Sequence, residues 1–144
     1  MTQLLIINPG STSTKFGVFE DKRAVFSKSI RHDTELESLA DLISQRPMRQ
    51  KLICDTLSEQ GIDLKMMDAI VGRGGLLHPL EGGVYVVNSD MIDDLESCKY
   101  GKHASNLGGI LADAIARPLG LKAYIADPVI VDEMRPLARF SGWP

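Results

Sequence analysis

The sequence predicts an α/β fold, a mixed β-sheet with helices packed on it. Three observations predict this. The first thirty residues read as a meander of three strands broken only by turn residues. Two later short apolar runs, residues 68–72 and 122–127, read as buried strands. Between and before them lie helical patterns, the clearest being the stripe Leu107, Ile110, Leu111, Ala114 and Ile115.

Taken in order, residues 3–7 form a buried strand that Pro9 and Gly10 break. A second strand starts at Thr14, with Phe16 and Val18 on one face. Asp21 and Lys22 turn the chain into a third strand, residues 23–30. Thr34 and Glu37 have the spacing of a capping box, so a helix is expected there with Leu36, Leu39, Ala40 and Ile43 on one stripe. Pro47 ends or kinks it. Helical character returns from Met48 to Glu59, and Gly61 closes it. Residues 68–72 are the fourth strand and 84–88 the fifth. Ser89 is expected to cap a short acidic helix running to Cys98, and Ser105 to cap the helix that Pro118 and Gly120 terminate. The sixth strand is 122–127. The order is therefore βββ-α-β-β-α-α-β. The last ten residues hold the only Trp and no terminating element, which reads as the interruption of a longer protein.

The chain has 144 residues, the size of one domain, with 44% hydrophobic and 24% charged residues. That length supports a core without disulfides or metals. A net charge of −3 without a basic cluster argues against nucleic acid or an anionic membrane as the main partner. No apolar run approaches a membrane span, and residues 3–7 are too short for a signal peptide. Cys54 and Cys98 form no CxxC pair and read as reduced thiols, with the chain expected in the cytoplasm.

The stretch NPGSTSTK, Asn8 to Lys15, suggests a held phosphate. It is not a P-loop: Thr14 stands where the second Gly belongs, Phe16 where the Ser or Thr belongs, and a strand rather than a helix follows. A dinucleotide fingerprint is absent too. What remains is a strand, a hydroxyl-rich turn and a strand. Such a hairpin can present backbone N–H groups and hydroxyls to a phosphate, with Lys15 as a point charge. It reads equally well as a solvated hairpin whose Ser and Thr are turn formers.

The hairpin resembles the phosphate turn of the sugar-kinase, actin and heat-shock ATPase superfold, and NPGSTSTK is most similar to the opening of the acetate and butyrate kinases. Residues 71–83 (VGRGGLLHPLEGG), 101–116 (GKHASNLGGILADAIA) and 126–134 (ADPVIVDEM) extend the likeness along the whole chain. They resemble butyrate kinases; acetate kinases usually carry a His-Arg-Val-Val-His-Gly-Gly run near the position of Arg73. The resemblance implies a ribonuclease H-like mixed sheet flanked by helices, the N-terminal domain of a two-domain actin-like kinase. Residues 1–144 would be its acyl- and phosphate-side domain, truncated at the C-terminal end, with the adenosine-binding domain absent. It further implies ATP and Mg²⁺, a short-chain carboxylic acid as acceptor, and a dimer for the full-length parent. Acetate and branched-chain acids are alternative substrates, and a non-catalytic binding module is an alternative role; the fragment alone is expected to be near inactive.

Asn8 is informative within that frame. An alcohol acceptor needs a base, whereas a carboxylic acid, with a pKa of about 4, is already ionised. Asn in place of the usual Asp therefore fits an acyl-phosphate product. By resemblance, Asn8, Gly10, Ser11, Ser13 and Lys15 hold phosphate. Arg73 binds the acid and the transferring phosphoryl group, and His103 donates to the phosphoryl oxygens. Asp127, with Asn8, is associated with Mg²⁺ through water. Arg73, His103, Asp127 and Lys15 form the expected catalytic set. Each has a plain counterpart: a strand-end Asn, a surface Arg, a structural His, an Asp-Pro turn. Leu77 and Pro79, with Leu76 and Val84, would line a pocket for the alkyl tail or else belong to the core. Gly72, Gly74 and Gly75 are expected to permit unusual backbone angles or close packing. His78 ranks below His103, His32 reads as a solvated strand end, and Asp132 and Glu133 as solvated.

Overall fold

Six strands form one mixed sheet in the order β3-β2-β1-β4-β6-β5. The computed structural model describes residues 1–32, 41–131 and 135–139. The strands are β1 (Gln3–Pro9), β2 (Ser13–Glu20), β3 (Arg23–Arg31), β4 (Ala69–Arg73), β5 (Val84–Val86) and β6 (Lys122–Ala126). The helices are α1 (Arg46–Glu59), α2 (Ser89–Glu96) and α3 (Asn106–Ala116). Among the described residues this is the predicted element order. The first three strands form the antiparallel meander, while β1, β4 and β6 run parallel side by side.

Alternation decides the layers. Leu5 and Ile7 of β1, Phe16 and Val18 of β2, Ile70 of β4 and Ile125 of β6 share one face and are almost wholly buried. All three helices cover that face. α3 packs directly on β4 and β6, with α1 and α2 against its sides. On the opposite face Leu4, Ile6, Val71 and Tyr124 stay half-buried, and Val84 and Val86 are exposed.

Several elements differ from the sequence reading. Pro47 does not end a helix but sits in the first turn of α1, where its missing N–H costs no hydrogen bond. The helix expected from Thr34 lies outside the described residues; its expected last member, Ile43, opens a short 3-10 turn. α2 is capped by Asn88, whose side chain accepts from the Met91 N–H at 2.8 Å, rather than by Ser89. His32 is not solvated. It is buried, its Nε2 is 2.8 Å from Thr14 Oγ1, and its backbone N–H donates to the Thr12 carbonyl. Cys54 and Cys98 are free thiols, as expected. Among the described residues no helix is long and apolar enough to cross a membrane.

The tightest contact is backbone on backbone. A Cβ built on Gly72 of β4 would lie 2.0 Å from the Gly108 carbonyl oxygen of α3, and one on Gly108 would lie 2.3 Å from the Arg73 carbonyl oxygen. No side chain there can move aside. Gly72→Ala is therefore expected to destabilise the chain by ~3 kcal/mol, the upper range for overpacking. Urea unfolding measures this, and a loss under ~0.5 kcal/mol would mean that strand and helix are not so closely docked.

Candidate functional site

β1, β4 and β6 end together, and polar residues stand at their ends. The parallel register sets Ile7 beside Gly72 and Arg73 beside Ala126, so Asn8, Arg73 and Asp127 come from adjacent strand ends. The carboxyl edge of parallel strands is where α/β sheets bind ligands. A cleft of about 520 Å³ opens there, lined by Asn8, Pro9, Gly10, Arg73, Gly74, His103, Ser105, Asp127, Pro128 and Val129. It gathers four segments far apart in sequence.

Each side chain is placed by a local cause. Asp127 takes a left-handed backbone with φ 45°, a conformation that Asp tolerates better than most residues. Its N–H donates to the Gly83 carbonyl at 3.0 Å, which ties the glycine-rich loop to the end of β6. Gly74 has φ 87°, and a Cβ there would be 2.7 Å from Ser105 Cβ. The expected need for glycine in this loop is thus physical.

His103 and Ser105 precede α3, whose N-terminus the Gly72–Gly108 contact sets above the end of β4. Ser105 occupies the expected cap position, but its hydroxyl makes no capping bond. Its Oγ is 2.7 Å from His103 Nδ1, and its backbone N–H donates to the same nitrogen at 3.2 Å. A backbone N–H can only donate, so Nδ1 accepts. The neutral ring then carries its proton on Nε2 as a free donor. Asn106 is fully buried and staples the loops together: its Oδ1 accepts from the Leu76 N–H at 2.9 Å, and its Nδ2 donates to the Gly101 carbonyl at 2.9 Å.

The remaining site candidates lie elsewhere. Lys15 pairs across the hairpin with Asn8, on the same sheet face, and its side chain is exposed. Ser11 is exposed at the hairpin tip and Ser13 is half-buried behind it; neither lines the cleft. Leu77 belongs to the core, Pro79 and Val84 are exposed, and none of the three borders the cleft. Its apolar walls are instead Pro9, Pro128 and Val129. Val129 was not singled out by the sequence; its one signal is an apolar residue directly after Asp127-Pro128. His78 borders a separate cavity of about 310 Å³. Asp132 and Glu133 lie outside the described residues.

Among the described residues, no three His, Cys, Asp or Glu side chains converge as a metal site. The donors available in the cleft are the Asp127 carboxylate and the Asn8 amide. That set fits Mg²⁺, which keeps several waters and takes most of its other ligands from substrate phosphate.

No protein-family model matches the chain. Among solved structures it is similar to acetate kinase from Entamoeba histolytica, with TM-score 0.56 and 16% identity over 99% of this chain and 40% of that one. It is similar to a propionate kinase from Francisella tularensis subsp. tularensis SCHU S4, with TM-score 0.52 and 16% identity over 88% of this chain and 36% of that one. It is also similar to YeaZ from Pseudomonas aeruginosa, with TM-score 0.50 and 17% identity over 88% and 44%. The chain spans less than half the length of each. At such identities the likeness is one of fold, a mixed sheet with helices packed on it.

The hydrogen bonds at His103 yield a measurable expectation. In the native chain the neutral imidazole is held as the Nε2–H tautomer. Ser105→Ala removes the shorter, hydroxyl bond and leaves only the 3.2 Å backbone N–H on Nδ1, so the Nε2–H share should fall. Ring ¹⁵N chemical shifts report this directly; an unchanged tautomer ratio would show that Ser105 Oγ does not orient the ring.

Proposed function

We propose that this chain is the phosphate- and acid-binding domain of a short-chain carboxylic acid kinase, with butyrate as the preferred acceptor among candidates that include acetate and branched-chain acids. The enzyme would transfer the γ-phosphoryl group of ATP to the acid, reversibly. The observation that carries this reading is the gathering of Asn8, Arg73, His103 and Asp127 in one cleft at the ends of β1, β4 and β6.

The chemistry suits those residues. The acceptor is already an anion, so no base is needed, and none of the four is required to take a proton. Arg73 offers a planar fork that binds a carboxylate or spans two phosphoryl oxygens. The Nε2–H of His103 donates to an equatorial oxygen as charge moves during in-line transfer. The Gly10–Ser13 turn and Lys15 hold the phosphate from the hairpin side, while Pro9, Pro128 and Val129 shelter the short alkyl tail. Asp127, with the Asn8 amide, would hold Mg²⁺ through water, and the ion would supply neutralisation of phosphate charge. ATP binding would draw on a second domain, and closure of the two would exclude water as a competing acceptor.

A second reading has its own observation. The chain spans only 36% of the propionate kinase and 40% of the acetate kinase, so by itself it would act as a binding module. Both readings are tested by measuring the intact mass of the natural gene product and then acyl-phosphate formation from butyrate, acetate and isobutyrate with Mg-ATP. A longer product that makes butyryl phosphate fastest is the expected result. In that protein Arg73→Ala should lower kcat by about 10²–10³, the range for loss of one preorganised charge-stabilising donor. A product that turns over none of the three acids would end the kinase reading and leave the binding module.

A further inference from the structure

A buried charge stands behind the hairpin. Arg49, on the first turns of α1, is 0% exposed. Its Nη1 donates to the Ser13 carbonyl at 2.9 Å and to Thr14 Oγ1 at 2.8 Å. Its Nη2 donates to the Gly10 carbonyl at 2.9 Å and to Gln45 Oε1 at 3.0 Å. All four acceptors are neutral, and among the described residues no carboxylate pairs with Arg49. Burial pushes its pKa down, yet a guanidinium stays protonated in proteins. A buried cation is usually kept beside an anion, because removing it from water is costly.

The grip also sets the direction of the backbone. In a trans peptide the C=O of one residue and the N–H of the next point opposite ways. Drawing the Gly10 carbonyl toward α1 aims the Ser11 N–H away from α1. That N–H has no hydrogen-bond partner among the described residues. The Thr12 carbonyl is taken by the His32 N–H at 2.9 Å, which fixes the next peptide but one in the same manner. Gly10 itself borders the cleft.

We propose that Arg49 is the positioning residue of the anion turn. Its fork holds the Gly10–Ser11 peptide with the N–H facing outward, and its unneutralised charge strengthens the hold on a phosphoryl group. This rests on the reading of the hairpin as a phosphate holder. Asn8 borders the cleft and Lys15 pairs with it across the hairpin on the other sheet face; Arg49 acts through the backbone.

Two variants separate charge from scaffold, with inorganic phosphate as the probe and the ¹⁵N-labelled 144-residue chain as the protein. Gln45→Glu puts a carboxylate beside Nη2, keeps every hydrogen bond of the fork and adds an acid next to the N-terminus of α1, which helices favour. It should keep or raise the melting temperature while weakening phosphate binding roughly fivefold or more, as expected for neutralising a charge of low effective dielectric behind the site. A purely structural Arg49 would not produce that split. Arg49→Met removes fork and charge and should both weaken phosphate and speed hydrogen exchange at Gly10, whose N–H bonds the Ser13 carbonyl that Arg49 also holds. If both folded variants bind phosphate as the native chain does, the proposal is overturned. If the native chain itself shows no phosphate-dependent shifts at Gly10 to Lys15, the phosphate reading and the charge role fall together. The exchange rate of Gly10 in Arg49→Met then judges the positioning role alone, and an unchanged rate overturns it.

Discussion

The contact between Gly72 and Gly108 sets the distance from which the rest of the site is built. Two backbones meet with no side chain between them, so α3 lies lower on the sheet than helices with larger residues at the contact. That depth brings the start of α3 to the level of Arg73 and Asp127. His103 and Ser105 then reach the same cleft as Asn8, although they come from a different part of the chain. Gly74 and Gly109 extend the fit, the first under Ser105 and the second against Ile125 and Leu95. Asn106 seals it, since a fully buried amide must satisfy its donors and acceptor, and here it does so by tying two loops to the helix.

The same contact explains why a helix N-terminus enters the site after all. The residues after Lys15 form a strand, so no helix dipole follows the hydroxyl-rich turn. The positive end of α3 is supplied across space instead, at the far wall of the cleft. The first N–H groups of α3 are spent on carbonyls of the preceding turn, so what the helix start brings to the cleft is its dipole and the His103 and Ser105 side chains. Fold alone does not decide that use. This chain is similar in fold both to YeaZ and to an acetate kinase, so what separates candidate functions is which side chains stand at the strand ends.

Much of the fold was legible because local and tertiary preferences agree. Leu5, Ile7, Phe16 and Val18 alternate in sequence and are buried in the structure, and the stripe of α3 is apolar where it is covered. Asn8, Arg73, His103 and Asp127 were singled out through the resemblance of residues 8–15, 71–83, 101–116 and 126–134 to the acid kinases, with the strand ends at Asn8 and Asp127 and the glycines after Arg73 as local support. The failures are of two kinds. α1 buries Arg49, Ile53, Thr56 and Leu57, a buried face not assigned to that helix from the sequence. His32 follows an exposed strand, and its burial depends on Thr14 and the hairpin, which local pattern does not report. Ser89 and Asn88 are both good caps, and only the geometry of the bend chooses between them. Ser105 stands at a cap position yet spends its hydroxyl on His103. His32 and Arg49 find their partners far along the chain, whereas the caps at Asn88 and Ser105 turn on contacts two or three residues away that depend on local backbone geometry.

The distant partners of Arg49 bear on how the hairpin carries charge. Lys15 is a flexible ammonium in water, able to follow an anion but weakened by solvent screening. Arg49 is held by four hydrogen bonds and shielded from water, so its field acts on the turn whether or not a ligand is present. On the proposed reading, a charge already fixed in place would need no reorganisation as phosphoryl charge develops, which is how preorganised groups stabilise a transition state. The burial is compensated only partly by neutral acceptors. Among the described residues no carboxylate offsets that burial, and on the proposed reading an anion in the cleft would make up the deficit. Stability and ligand binding are linked through that deficit: whatever neutralises Arg49 from within, as a carboxylate at position 45 does, removes part of the reason for an anion to bind from without.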